Sequence, residues 1–496
     1  MSGELVLGID QGTTSTRAVA FDAELRPVAQ ASRPLETRHP QPGWVELDPR
    51  AIRDSVVEVV DEVLRAVGGA SAVAAAGLAN QGETVVAWDA TTLEPLGPAV
   101  VWQCHRSAPI VERLRDAGLE PAIRDLTGLP LDPYFSAGKM RWLLENDPVV
   151  ADAAAAGRLR FGTVDAWVTA SLGDRGAAGL TDPSTASRTQ LFGLTGGRWE
   201  PQLLEWFGVD PSTLPDVVDT VGDACTLRHP SWDGPIRLTA MACDQQAALA
   251  GHGAFRPGRV KATYGTGVFV LANAGDDSSG RGQLETSVAW SLPDGRRDLV
   301  LQGGEYAAGA LLDWLRDDLR LIDDVTLTEA MARSVDDTAG VTVLPALAGL
   351  GAPWYLPDAR AAIIGLTAAA TQAHVVRATL DSIAHRVVDI VDAMAAVIGE
   401  RVPELRVDGG LTRNGFLLQR QADLLGVPVV VASVEETTAF GVAALASVGS
   451  GRRTIDDIEA SNPPRATYQP AIDDAMRESE RAAWHRTVEW LTSAVP

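Results

Sequence analysis

Lysine is nearly missing from this chain: of 42 basic residues only Lys139 and Lys261 are lysines. Neither lies in a GxxxxGK(S/T) pattern, which excludes a P-loop, because that cradle needs its lysine on the phosphates. Cysteine is scarce as well. Cys104, Cys225 and Cys243 form no CxxC pair, so no disulfide framework is expected, and scattered thiols fit a reducing cytoplasm. The seven histidines lack metal-ligand spacing. No apolar run approaches the ~18 residues of a membrane span. The N-terminus has no basic end, apolar stretch and cleavage site, so a cytoplasmic protein is expected. GxGxxG, HExxH, GxSxG and EF-hand patterns are missing too. Positive charge is in deficit, 42 basic against 65 acidic residues and a net charge of −23. That balance argues against nucleic acid or an anionic membrane as partner, while leaving room for a locally positive site for a small anion.

What remains is ordinary for a globular enzyme: 496 residues, 46% hydrophobic and 22% charged, enough for two to four domains. Strand-like and helix-like stretches alternate throughout, which predicts α/β architecture. Leu5–Ile9 and Ala18–Phe21 are close enough to form a hairpin. Asp48-Pro49 should open a helix with a buried stripe of Ile52, Val56, Val59, Val60, Val63 and Leu64. From Val376 to Val397 apolar residues recur at spacings of three and four, one long packed helix. Most of Ala70–Leu78, Arg160–Thr169 and Thr239–Met241 reads as buried strand. Gly and Pro punctuation near Gly251–Gly258 suggests a division into residues 1–252 and 253–496. Gly-Thr-Thr at 12–14 and Tyr-Gly-Thr-Gly at 264–267 each sit between strand patterns, which suggests a duplicated domain with a cleft between the copies.

The run Asp10-Gln11-Gly12-Thr13-Thr14-Ser15-Thr16-Arg17 has the chemistry of a polyphosphate grip, although a polar hairpin with an Asx turn has a similar signature. Gly12 permits a tight turn, and Thr13, Thr14 and Ser15 offer backbone and hydroxyl donors. Arg17 adds a positive fork, and Asp10 can hold a hydrated Mg²⁺. The hairpin around Thr266 would grip the same ligand from the other side. Gly410 and Asn414, between a strand and an apolar helix, read equally well as a nucleoside contact or a tight turn. Asp244, at a strand end, is placed to accept a hydroxyl proton, although a capping aspartate has the same signature. Trp102, Tyr134 and Phe269 would wall a polyol pocket or simply fill a core.

Several longer stretches carry a family likeness. Tyr134–Asn146 and the segment from Ala361 through Gly365-Leu366 and His374 to Asp381 are the most specific. Pro42-Gly43-Trp44-Val45-Glu46, Val101-Trp102-Gln103-Cys104, Asp165-Ala166-Trp167, Gly349–Pro353 and Thr438-Ala439-Phe440-Gly441 add to them. With these the chain resembles, over nearly its full length, the FGGY carbohydrate kinases of the actin-like ATPase superfamily, and most of all their glycerol-phosphorylating members. The resemblance implies two RNase H-like domains with the active site in the cleft between them. It implies ATP and Mg²⁺ as cofactors and a small polyol or sugar as acceptor, glycerol first. It leaves the oligomeric state open, a dimer or tetramer included.

By the same resemblance Asp244 is the general base, and Glu83, Trp102, Tyr134, Asp244, Gln245 and Phe269 hold the polyol. Thr13, Thr14, Ser15 and Arg17 meet the β- and γ-phosphates, and Thr266 and Gly309 meet the nucleotide from the second domain. Gly410 and Asn414 flank the adenosine, and Asp10 and Asp244 hold the metal. The chain departs from the pattern at Gly82, where an arginine is expected, and at Asp313, where a glutamine is expected. Losing a charged donor costs about 1.5–3 kcal/mol of binding. Either His105 or Arg106 fills in for it, or the acceptor is a larger polyol or ketose. A nucleotide- or sugar-binding sensor without catalysis is the remoter alternative.

Overall fold

The computed structural model describes residues 4–276, 284–459 and 461–493. β1 (Leu5–Gln11), β2 (Ser15–Phe21) and β3 (Pro27–Pro34) form an antiparallel meander. Asp48 then caps α1 (Pro49–Val67), its carboxylate accepting the Arg50 N–H at 2.9 Å. The stripe Ile52, Val56, Val59, Val60, Val63 and Leu64 is buried. The helix returns the chain to β4 (Val73–Asn80), parallel to β1, and β5 (Val221–Leu227) and β6 (Ile236–Cys243) complete the order β5-β6-β4-β1-β2-β3. The long excursion between β4 and β5 carries Glu83, Trp102 and Tyr134.

After α2 (Asp244–Gly251) the layout repeats. β7 (Val260–Tyr264) and β8 (Val268–Gly275) form the second hairpin, extended by β9 (Glu285–Ser291) and β10 (Arg297–Glu305). α3 (Gly309–Asp317) and the long α4 (Gln372–Ile398) precede β11 (Leu405–Asp408), which pairs in parallel with β7 as β4 does with β1. With β12 (Val429–Ala432) and β13 (Pro464–Tyr468) the order is β9-β10-β8-β7-β11-β12-β13. Each half is an RNase H-like domain: antiparallel strands lie on one side of a first strand that pairs in parallel on its other side. The segment 160–169 departs from the strand expectation. Only Leu159–Gly162 is strand, and Val164–Leu172 is a helix buried on nearly every side, so its apolar residues show no helical period. The strand expected from Ala70 begins only at Val73, after a short 3₁₀ turn.

One helix ties the halves together. α5 (Gly415–Leu425) and β12 belong to the second sheet, but the following α6 (Thr437–Gly449) crosses back onto β1, β4 and α2. The contact is backbone to backbone. A Cβ built on Gly441 would lie 1.8 Å from the Ala247 carbonyl oxygen, and one on Gly8 2.1 Å from that of Ala439. Phe21 and Phe440 seal the edge in a T-shaped pair with ring centres 5.8 Å apart. Replacing Gly441 by Val forces the helix off α2. Overpacking of this kind costs about 1–3 kcal/mol, so a thermal scan is expected to show a Tm several degrees lower. An unchanged Tm would mean that the helix does not seat this closely.

Candidate active site

Asp244 directly follows β6 and is the first residue of α2, and its carboxyl lines a cavity. It shares a cavity of about 100 Å³ with Glu83, Trp102, Tyr134, Gln245 and Phe269, so the structure brings every residue expected to hold the acceptor into one wall. Trp102 and Tyr134 pack with ring centres 5.4 Å apart. The Trp102 Nε1–H donates to Thr13 Oγ1 at 2.8 Å, and Thr13 Oγ1 donates to Gln81 Oε1 at 3.2 Å. The Thr13 hydroxyl is therefore engaged within the cavity wall rather than free for the expected phosphate contact.

Both lysines of the chain are buried at this site and hold its walls. Lys139 Nζ donates to the carbonyls of Pro133 at 2.8 Å, Phe135 at 3.2 Å and Tyr134, fixing the loop that presents the Tyr134 ring. Burial lowers the Lys139 ammonium to about 7. Lys261 Nζ, on β7, donates to Gln245 Oε1 at 2.6 Å and Thr263 Oγ1 at 2.9 Å, joining the second domain to the start of α2. Burial raises the Asp244 carboxyl, while the Gln245 N–H at 2.6 Å and the Lys261 charge favour its ionised form. A carboxylate of this kind is a better proton acceptor than an exposed one.

Asp10 lies directly across the hairpin from Arg17. Burial first, and Asp244 next, push its carboxyl up to about 7. The Arg17 guanidinium is paired with Glu436, at the entry to α6, so the residue expected on the phosphates is held by an interdomain ion pair here. Thr14 is exposed, and Ser15 closes the turn by accepting the Gly12 N–H at 3.0 Å. Opposite, Thr266 is exposed and its carbonyl accepts the N–H groups of Ala308 and Ala310, while the Gly309 N–H is spent on the Gly265 carbonyl at 3.0 Å. Nothing lies within 4 Å of where a Gly410 Cβ would stand, which leaves room for a flat ring. Asn414 is engaged at both ends, capping α5 through the Leu417 N–H at 3.0 Å and donating to Thr328 Oγ1 at 3.1 Å. It shapes the loop. Asp313 is on the exposed side of α3, paired with Arg316.

The substitutes expected for a side chain at Gly82 are elsewhere. Arg106 pairs with Glu46 at 2.6 Å and stacks on Trp44, and neither it nor His105 lines the cavity. Gly82 itself has a φ of 79°, a conformation that disfavours any side chain. The cavity wall instead contains Arg188, Gln302 and Cys243, none of which the motifs singled out. Arg188 follows the short helix Pro183–Ala186 and meets its partners only through tertiary contacts. A long charged side chain inside the apolar stretch around Ala186 and Leu191 was the one available signal.

Two RNase H-like domains closing on an acceptor cavity with a carboxylate in its wall define a two-domain kinase of the actin-like ATPase class. The models of the FGGY family of carbohydrate kinases match here, the N-terminal domain over residues 5–251 and the C-terminal domain over residues 260–450. The chain belongs to this family, and ATP is the phosphoryl donor that a kinase of the family uses. A glycerol kinase from Symbiobacterium thermophilum is 43% identical over 492 residues, covering 99% of this chain and 98% of that protein. One from Halorhodospira halophila is 43% identical over 98% of this chain and 96% of its own length. Among solved structures, Plasmodium falciparum glycerol kinase with ADP superposes with a TM-score of 0.92 at 30% identity, covering 98% of each chain. A xylulose kinase from Lactobacillus acidophilus has a TM-score of 0.88 at 19% identity, over 99% of this chain and 98% of its own, a likeness of fold alone. Among the described residues no helix is long and apolar enough to cross a membrane.

Proposed function

We propose that this chain phosphorylates glycerol at the expense of ATP, with Asp244 as general base, residues 1–252 supplying the acceptor side and residues 253–496 the nucleotide side. The size of the cavity carries the reading. About 100 Å³ walled by Trp102, Tyr134 and Phe269 suits a three-carbon triol, far below the ~300–1,000 Å³ of pockets for larger ligands. The aromatic rings pack on the carbon edge, and Glu83, Gln245 and Asp244 face the hydroxyls. Asp244 takes the proton of the attacking hydroxyl as the oxygen approaches the γ-phosphorus. The bare Cα of Gly82 favours a second reading, a four- or five-carbon polyol or ketose reaching past it. Glycerol kinases lead the similar proteins, which supports the smaller acceptor.

The residues also suit Mg²⁺. Asp10, with its carboxyl pushed up to about 7 by burial and by Asp244, is the environment a divalent cation relieves. Mg²⁺ is typically held by one or two carboxylates together with substrate phosphates, and among the described residues no larger acidic or histidine cluster competes. When bound there, the ion neutralises charge on the transferring phosphoryl group. Gly12–Ser15 and Thr266 face that group from the two domains, and domain closure keeps water from the γ-phosphate.

Replacing Asp244 by Asn is expected to lower kcat by roughly 10²–10⁴ while ATP binding changes little. A coupled ADP-release assay across three- to six-carbon polyols and ketoses identifies the acceptor; turnover of a pentitol but not glycerol would contradict the first reading. Metal binding needs Asp10 ionised, so the Mg²⁺ concentration for half activation should rise as pH falls below about 7, up to ~10-fold per unit. A requirement that stays flat from pH 8 to pH 6 would remove Asp10 from the metal site.

A further inference from the structure

Among the described residues Arg188 is the only arginine or lysine side chain lining the acceptor cavity. Its side chain is 2% exposed. The Nε–H donates to Glu83 Oε1 at 2.6 Å, from the first domain, and Nη2 donates to Glu285 Oε2 at 3.1 Å, from β9 of the second. The guanidinium packs over the rings of Tyr134 and Phe135, its carbon 5.9 and 5.1 Å from their centres. Orientation is thus fixed on several sides. The remaining nitrogen, Nη1, is buried and has no hydrogen-bond partner among the described residues. Buried donors are almost always paired, and an unpartnered one on a side chain that lines a ligand cavity points to a ligand oxygen as its partner.

We infer that Arg188 is a specificity-determining residue: Nη1 donates to the acceptor hydroxyl farthest from the one that Asp244 deprotonates. The inference rests on the polyol-kinase reading above and goes beyond it by assigning the far end of the acceptor. It also defines the acceptor's charge. The guanidinium is already matched by Glu83 and Glu285, and Asp244 faces the same cavity, so an anionic acceptor such as an aldonic acid meets excess negative charge. The ligand is a neutral polyol with a terminal hydroxyl at each end. Gly82 provides no side chain to do the same work, so discrimination for that hydroxyl falls on residue 188.

The test compares glycerol with 1,2-propanediol, which keeps a primary hydroxyl and its neighbour but lacks the far one. In the unmodified enzyme kcat/KM should favour glycerol strongly, and glycerate should not be phosphorylated. Arg188→Lys keeps the charge between Glu83 and Glu285 but removes the fork. It should shrink the glycerol preference by roughly 10- to 150-fold, the value of one charge-assisted hydrogen bond. A purely structural role would lower kcat/KM for both diols and triols alike and leave their ratio unchanged, which overturns the inference. If the variant does not fold, a crystal structure of the unmodified enzyme with glycerol decides: a terminal hydroxyl within hydrogen-bond reach of Nη1 supports it, and a water or protein partner there overturns it. Turnover of glycerol with an unaltered ratio would sink only the role of Arg188. No turnover of any polyol would remove the functional reading itself, and the inference with it.

Discussion

The backbone contact between α6 and the first sheet is the constraint on which the rest depends. A kinase of this layout must mount a nucleotide half on an acceptor half and still align one carboxylate with one phosphorus. Here the alignment passes through α2, whose first residue is Asp244 and whose outer face meets α6 where Gly441 approaches the Ala247 carbonyl. Just before α6, Glu436 holds Arg17 of the first hairpin. At its first turn, the Thr437 hydroxyl donates to Asp408, which also accepts from His252 at 2.8 Å. Asp408 precedes the open Gly410 loop. One helix therefore touches α2, the first hairpin and the strand end that leads to Gly410, and glycine is what lets it come so near.

The scarcity of lysine acquires a meaning in this frame. An ammonium is a compact charge with three donors, suited to gathering several carbonyls at one point. Lys139 does that for the Tyr134 loop, and Lys261 stretches from the second domain to Gln245. Neither is placed as a phosphate-binding lysine of the Walker kind. Arginine is used where planar two-sided pairing is needed, as at Arg188 between Glu83 and Glu285, or at Arg386 between Glu305 at 2.6 Å and Asp389 at 3.0 Å. At these two arginines buried charge is matched by geometry. That is the condition under which buried ions are tolerated.

How much of this was legible depends on whether the signal is local. The two Gly/Thr hairpins, the Asp48 cap and the spacing from Val376 to Val397 are written into neighbouring residues, and their elements formed where expected. Most of Arg160–Thr169 reads as strand although Val164–Leu172 is a helix, because burial on nearly every side erases the period that distinguishes the two. The acceptor residues were reached through stretches with a family likeness, and the fold brings them to one cavity. Arg188 was invisible for a physical reason: its meaning comes from Glu83, 105 residues away, and Glu285, 97 residues away. Arg17 stands out in its own motif, but its pairing with Glu436, 419 residues distant, does not. Spacing along the chain says nothing about such pairs.

In the proposed reaction one carboxylate, Asp244, stands between the acceptor and the end of the triphosphate. A crystal structure with a non-hydrolysable ATP analogue and glycerol measures it directly. The account requires an Asp244 oxygen roughly 2.6–3.2 Å from a terminal hydroxyl that points at the γ-phosphorus. That hydroxyl resting on Glu83 or Asp10 instead, with Asp244 turned away from it, would contradict the account.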